Sequence, residues 1–131
     1  MLALTNRRRA AGATCGAEAY PPAPPLTEDV RLRQAARAHA ADMGARDYFD
    51  HQTPEGRTAV DRARAAGYPS AFVGENIAAG YSTPEAVVAG WMKSPGHCTN
   101  IMDPRYTRLG VGYASRPASS MRDYWVQDFG H

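Results

Sequence analysis

The order of hydrophobic patterns along the chain constrains the fold most strongly, because helical spacing comes first and strand patterns come last. From about Glu28 to Arg46, the residues suited to burial recur every three or four positions and share one helical face: Leu32, Ala36, His39 and Met43. Shorter helices are predicted over 2–11, over 58–66 and from Thr83. Two strands, over 108–114 and 123–129, are predicted to form a hairpin. Helices followed by paired strands indicate an α+β fold, an antiparallel sheet covered by helices.

Residues that start and stop helices refine these limits. Thr27 is expected to cap the long helix, and Gly67 is expected to close the helix over 58–66. The tripeptide Ser94-Pro95-Gly96 is expected to end the helix that begins at Thr83, and a short turn or helix over 97–101 follows it. Segment 14–25 contains four prolines, which exclude a helix there. It is therefore predicted to be an irregular connection.

The composition indicates one ordinary globular domain over residues 1–131. The net charge is only +2, and the one basic run, Arg7 to Arg9, is interpreted as a solvated helix flank. A nucleic-acid partner is therefore not expected. No stretch reaches the roughly 18 apolar residues of a membrane span. The first 13 residues also lack the charge and apolar pattern of a signal peptide.

The two cysteines, Cys15 and Cys98, leave two alternatives open. They are far apart and form no Cys-x-x-Cys pair, so by themselves they make a poor zinc site. In an exported protein they are expected to pair, and a disulfide closing this loop would contribute about 4–5 kcal/mol in the chain-entropy model. Two free buried thiols are the other alternative.

Imidazole and carboxylate side chains are the candidates for a binding or catalytic site. His51, Glu75 and His97 are of the types that bind zinc-like ions, but they are far apart, so the fold must bring them together. The chain has no His-Glu-x-x-His helix, no Gly-x-Ser-x-Gly elbow and no phosphate-binding loop. Spacing alone therefore favours two structural histidines and a carboxylate that anchors a loop. His39, on an apolar helical face, is predicted to be a core histidine.

Short motifs in a fixed order resemble those of the CAP superfamily (cysteine-rich secretory protein, antigen 5 and pathogenesis-related 1), in its bacterial form. Asn6-x-x-Arg9 comes first, followed by Tyr48-Phe49-Asp50-His51 and Gly74-Glu75-Asn76-Ile77. Trp91 to Ile101 is similar to the bacterial Trp-Met-x-Ser-Pro-Gly-His-x-x-Asn-Ile element, and Tyr124 to Gly130 resembles the closing strand. Each motif is weak evidence alone, but the ordered set covers almost the whole chain.

The resemblance implies an α–β–α sandwich, with helices on both faces of a small antiparallel sheet. It also implies a central cleft with two histidines and two acidic residues, of which this sequence supplies His51, Glu75 and His97. The second acid would stand three residues after Trp91, where this chain has Ser94. Glu55 or Asp50 is the alternative source of that carboxylate. Structural roles follow for Trp91 in the core and for Asn76 and Asn100 in tying loops together.

The resemblance further implies a secreted protein, periplasmic or extracellular, that acts as a binding or interaction module, and it favours a non-enzyme. Its cleft would take a small ligand or a divalent cation such as zinc, with His51, Glu75 and His97 as the metal ligands. The alternative is a metal-dependent, protease-like hydrolase using the same cleft, and an inert structural domain is a third interpretation. The partner would be an extracellular lipid, envelope component or protein, and the protein is expected to be a monomer.

Overall fold

The late strands form the centre of the molecule, in a computed structural model that describes residues 1–131. In chain order the elements are α1 (Leu2–Ala11), β1 (Ala13–Cys15), β2 (Glu18–Tyr20), β3 (Thr27–Glu28), α2 (Val30–Arg46), α3 (Ala59–Ala65), β4 (Gly74–Ala79), α4 (Pro84–Met92), α5 (Pro95–Met102), β5 (Arg108–Ser115) and β6 (Asp123–Gly130). The main sheet has the strand order β3-β5-β6-β4. The hairpin predicted from the sequence is therefore its central pair.

Most of the main sheet is antiparallel, with one short exception. β4 and β5 both pair antiparallel with β6, so that Glu75 and Gly110 each lie opposite Asp128. β3 instead joins the edge of β5 in parallel through two residues. The expectation of an antiparallel sheet is thus correct for its three long strands, and β4 is left at the other edge.

One face of the sheet is covered by α2, with α3 beside it. Side chains of α2 pack against the sheet in a buried cluster of Ala36, Ala40, Met43, Ile77, Tyr124 and Val126. Gly110 and Gly112 of β5 face α2, and a Cβ atom at either position would overlap the helix backbone. The absence of side chains there lets α2 lie directly on the strand.

The other face is covered by α1, α4 and α5. The largest core cluster lies between these helices and the sheet and includes Val87, Trp91, Ile101, Met102, Leu109 and Phe129. Helices therefore cover both faces, which confirms the α–β–α sandwich. None of the helices has both the length and the apolar character needed to cross a bilayer.

The start of α2 differs from the prediction. Asp29, not Thr27, is the N-cap, and its carboxylate accepts from the backbone N–H groups of Arg31 and Leu32. Thr27 lies in β3, where its backbone N–H donates to the Thr107 carbonyl at 2.9 Å. The prediction of Thr27 was wrong because strand pairing with a distant residue takes precedence over a local capping preference.

Two connections are also more regular than predicted. Segment 14–25 contributes to an antiparallel β1–β2 pair, with Ala13 opposite Tyr20, and the prolines follow that pair. α4 ends at Met92, and Ser94 is the N-cap of α5 with Pro95 in its first turn. Ser94-Pro95-Gly96 therefore begins a helix instead of ending one, as the preference of proline for the first helical position allows.

Arg9 is fully buried, so the interpretation of Arg7 to Arg9 as a solvated flank was wrong at this residue. Its guanidinium donates to the carbonyls of Ile101 at 2.7 Å, Asp103 at 2.9 Å and Tyr106 at 3.1 Å. Helical spacing places Arg9 on the inner face of α1, where these carbonyls replace water as its hydrogen-bond partners. Arg7 and Arg8 remain exposed.

The two cysteines form a disulfide that links β1 to α5. This confirms the pairing of Cys15 with Cys98 and excludes the alternative of two free thiols. Because Cys98 follows His97 directly, the bridge also anchors the first turn of the helix that carries the second candidate histidine.

Candidate functional site

The candidate site lies at the edge strand β4, where the two helical layers approach each other. Glu75 is on β4 and lies opposite Asp128, so it faces the layer of α2 and α3. His51 comes from the loop between α2 and α3, and His97 comes from α5 in the opposite layer. The fold thus brings residues that are distant in sequence to one edge of the sheet.

The Glu75 carboxylate is buried and has a partner at each oxygen. Its Oε1 is 2.9 Å from His51 Nδ1, and its Oε2 accepts from Arg62 Nη2 at 2.6 Å. Only 3% of the Glu75 side chain and 5% of the Arg62 side chain is exposed. Burial alone would raise the pKa of Glu75, but the hydrogen bond from His51, the neighbouring Asp128 carboxyl group and the charge of Arg62 lower it to about 2. Glu75 is therefore ionised at neutral pH.

His51 is held at one ring nitrogen and open at the other. Because Glu75 is an ionised acceptor, His51 Nδ1 carries the hydrogen, and Nε2 is the nitrogen left for a ligand. About half of the side chain, 52%, is exposed. The hydrogen bond to Glu75 raises the pKa of His51, although partial burial opposes it. His51 therefore retains its proton to higher pH than an ordinary histidine.

His97 and Ser94 form a second pair on α5. His97 Nδ1 lies 2.9 Å from Ser94 Oγ, and the Ser94 hydroxyl makes no capping bond to the helix backbone. Burial lowers the pKa of His97, and the nearby charge of His51 lowers it further. The site therefore combines a histidine that favours the charged form with one that favours the neutral form.

A chain of amides fixes α5 against β4. The Asn76 side chain donates to the His97 carbonyl at 3.1 Å, and the Asn100 side chain donates to Asn76 Oδ1 at 2.9 Å. Asn100 also donates to the Glu75 carbonyl at 3.2 Å. Trp91 is buried and donates to the Ile77 carbonyl at 3.1 Å. The asparagine bonds hold the helix of His97 beside the strand of Glu75, and the Trp91 bond holds α4 against the same strand.

Two residues of the site, Arg62 and Asp128, were missed by the sequence analysis. Arg62 also donates through Nη1 to the His51 carbonyl at 2.7 Å, so it holds the loop as well as the carboxylate. Asp128 is fully buried, and neither carboxyl oxygen has an N–H or O–H donor. Burial, together with the charge of Glu75, raises the pKa of Asp128 well above its usual range. Asp128 therefore favours its protonated form beside the ionised Glu75.

The site does not meet the requirements of a divalent metal. A catalytic zinc site uses about three protein ligands with free lone pairs, but no group of three or more His, Cys, Asp or Glu side chains is placed to hold an ion. Both oxygens of Glu75 are already engaged by Arg62 and His51. As folded, these residues do not fit a metal, and the metal set of His51, Glu75 and His97 stays a prediction.

The alternative carboxylates lie in other contacts. Glu55 forms an ion pair with Arg46 of α2. The Asp50 carboxylate accepts from the backbone N–H of Gln52, and the Asp50 carbonyl accepts from His39 Nε2 at 2.8 Å. His39 is fully buried and thereby anchors the loop just before His51. The acid beside Glu75 is therefore Asp128.

Comparison with known proteins identifies the family. The family model named CAP, the cysteine-rich secretory protein family, matches residues 2–129. The chain belongs to this family. The CAP domain is 42% identical over 105 residues to the uncharacterized protein YkwD of Bacillus subtilis, covering 80% of the chain and 39% of YkwD. It is 33% identical over 104 residues to the uncharacterized membrane protein YlbC of the same organism, covering 79% of the chain and 28% of YlbC.

Solved structures share the architecture of this CAP domain. An extracellular SCP-domain protein from Bacillus anthracis superposes with a TM-score of 0.73 at 33% identity, over 82% of this chain and 34% of that one. An outer surface protein from Borrelia burgdorferi gives a TM-score of 0.72 at 23% identity, over 80% of this chain and 76% of that one, a likeness of fold. The CAP domain spans about two-fifths or less of the length of YkwD, YlbC and the B. anthracis protein.

Proposed function

We propose that this CAP domain is an extracellular binding module whose cleft takes a small ligand between His51 and His97. The observation that carries the proposal is the orientation of His51. Its Nδ1 is fixed by Glu75, while its half-exposed ring leaves Nε2 for a partner. The amides of Asn76 and Asn100 hold His97 at the same edge. A preorganised pair of imidazoles costs little ordering entropy on binding.

The charge of the site indicates the chemistry of the ligand. The charges of Arg62 and ionised Glu75 cancel, and the raised pKa of His51 favours the positively charged form of its ring. A protonated His51 presents an Nε2–H donor, which binds carboxylate or carbonyl oxygens. The ligand class we propose is therefore a small molecule, or the end of a larger one, with a carboxylate or carbonyl acceptor. A lipid, an envelope component or a protein can each carry such a group.

Export is part of the proposal and rests on two observations. The protein from B. anthracis is described as extracellular and that from B. burgdorferi as an outer surface protein. The Cys15–Cys98 disulfide is of the kind that persists in oxidising compartments. Together they support a domain that works outside the cytoplasm, and we propose that it does so as a monomer.

The test is an NMR titration of the histidine ring nitrogens with acetate, and with acetamide as the neutral carbonyl probe. Saturable shifts at His51 Nε2 and His97, strongest below the pKa of His51, are expected for acetate. They should disappear in His51→Ala but persist in Arg8→Ala, a surface control. Rings that show no saturable shift with either probe would contradict the proposal.

Hydrolysis is the second candidate, and one observation favours it. A carboxylate at Nδ1 with a free Nε2 is the orientation of a histidine general base, as Glu75 and His51 show. A metal-assisted hydrolase would need a cation bound by His51 and His97. Glu75 would not help to bind that cation, because both of its oxygens are hydrogen-bonded to Arg62 and His51. Hydrolysis of p-nitrophenyl acetate that is lost in His51→Ala would support this candidate. A rate that the substitution leaves unchanged would eliminate it.

A further inference from the structure

We infer that Arg62 is a built-in counter-ion, which occupies the side of Glu75 that a divalent cation would need and makes the cleft exclude such cations. The inference goes beyond the proposed function, because it concerns the ion that the site rejects and not the ligand that it accepts. It makes Arg62 a residue that determines specificity. Neither the family motifs nor the sequence pattern assigns this role.

The contacts of Arg62 make it a fixed part of the site. One guanidinium nitrogen, Nη2, donates to Glu75 Oε2 at 2.6 Å. The other, Nη1, donates to the backbone carbonyls of His51 at 2.7 Å and Arg57 at 3.2 Å. Three acceptors, one on β4 and two in the loop before α3, therefore hold the guanidinium in place. With only 5% of its side chain exposed, it cannot swing into solvent without breaking buried hydrogen bonds.

The groups around Arg62 show why a cation is needed at this point. Glu75 and Asp128 lie opposite each other on β4 and β6, and both are buried. The ionised Glu75 carboxylate attracts a positive charge strongly in this low-dielectric interior. Arg62 supplies one such charge from α3. A metal ion approaching Glu75 would meet the repulsion of a guanidinium that is already hydrogen-bonded to the carboxylate.

Removing the guanidinium should therefore leave Glu75 open to a cation. Without Arg62, the buried Glu75 carboxylate has no counter-ion, and His51 Nδ1 lies 2.9 Å from its Oε1. A carboxylate and an imidazole are donors that zinc accepts, with water completing the shell. Arg62→Met keeps most of the aliphatic stem and removes the charge. Arg62→Lys keeps the charge and loses the forked geometry.

The experiment is a calorimetric Zn²⁺ titration of the wild type, Arg62→Met, Arg62→Lys, Glu75→Gln and the Arg62→Met, Glu75→Gln double variant, with folding checked by circular dichroism. Arg62→Met is expected to bind one Zn²⁺ at least ~100-fold more tightly than the wild type, as the loss of one nearby charge implies. Adding Glu75→Gln should abolish that gain. Arg62→Lys should behave like the wild type.

Three results would overturn the inference. The first is one-site zinc binding by the wild type that the Glu75→Gln substitution removes. The second is an Arg62→Met variant that folds but binds zinc no more tightly than the wild type. The third is an Arg62→Lys variant that binds zinc tightly. If Arg62→Met does not fold, the zinc titrations of the wild type, Glu75→Gln and Arg62→Lys still test the inference. The acetate titration of the histidines is measured separately, so failure of the proposed ligand class and failure of the counter-ion role are distinguishable.

Discussion

The charged side chain of Arg9 lies in the interior, where backbone carbonyls from the end of α5 and from the segment after it accept its hydrogen bonds. Replacing it with alanine would leave the carbonyls of Ile101, Asp103 and Tyr106 without their donor. The free energy of unfolding of Arg9→Ala is expected to fall by about 3 kcal/mol or more. Urea denaturation measures the change. Arg8→Ala, at an exposed neighbour, is the matched control and should stay within about 0.5 kcal/mol of the wild type. Equal losses in the two variants would contradict a special role for Arg9.

Residue type and motif order predicted His51, Glu75 and His97 as site residues, and the structure places Glu75 against His51. The sequence could not point to Arg62 and Asp128. Asp128 meets Glu75 only through the register of β4 on β6, and Arg62 meets it only through the packing of α3. Such partners depend on pairing between distant segments, and one sequence carries no local signal of that pairing.

The contact of α2 with β5 depends on a strand without side chains at two positions. A Cβ atom at Gly112 would overlap the backbone of α2 at Ala36 and Arg37. Because helix backbone cannot rearrange as a side chain does, Gly112→Ala is expected to lower the free energy of unfolding by about 3 kcal/mol. Gly96→Ala is the control, since a Cβ atom there meets nothing within 4 Å. Thermal or urea unfolding compares the two, and an unchanged Gly112→Ala would refute direct helix-on-strand packing.

Among the elements, hydrophobic spacing predicted the long helix and the central hairpin. The N-cap of α2 and the short strands escaped prediction for a common physical reason. β3 is defined by pairing with β5, about 80 residues later, as the bond from Thr27 to Thr107 shows. Capping and turn preferences act over three or four residues. These local preferences do not determine the structure where a distant strand supplies better backbone hydrogen-bond partners.

The disulfide joins two elements that are otherwise held by packing. Cys15 and Cys98 are 83 residues apart in sequence, so the bridge restricts the unfolded chain by about 4–5 kcal/mol in the loop-entropy model. Reduction of the folded protein is expected to lower Tm by at least several degrees. Scanning calorimetry with and without reductant measures it. The Cys15→Ser, Cys98→Ser double variant should melt at the lower temperature in both conditions. An unchanged Tm of the wild type, after reduction of the disulfide has been confirmed, would rule out this stabilisation.

The stability of the whole molecule should depend on pH through Glu75 on the acid side. Its folded-state pKa, about 2, is below its ordinary value of 4.5, so its contribution is present above about pH 4.5 and is lost as pH falls towards 2. Urea midpoints of the wild type should therefore decline from about pH 6 to about pH 3. At about pH 6 the urea midpoint of Glu75→Gln should be lower than that of the wild type, and it should decline less steeply as pH falls. Parallel profiles would contradict the coupling of Glu75 to Arg62 and His51.

Asp128 acts on the stability of the whole molecule with the opposite sign. Its pKa is raised in the folded state, so its favourable contribution is complete below the unfolded value of about 3.9 and is lost as pH rises through the folded value. Asp128→Asn keeps the shape, cannot ionise, and can donate to Glu75 as a protonated carboxyl does. The free energy of unfolding of Asp128→Asn should therefore increase relative to that of the wild type as pH rises.

Urea denaturation of both proteins between about pH 4 and about pH 7 measures this difference. The advantage of Asp128→Asn should be smallest at the acid end and grow steadily towards neutrality. Asp50→Asn, at an exposed position, controls for the loss of an aspartate as such. A difference between Asp128→Asn and the wild type that does not vary with pH would mean that Asp128 is ionised inside the fold. Arg62 would then have to balance two buried carboxylates instead of one.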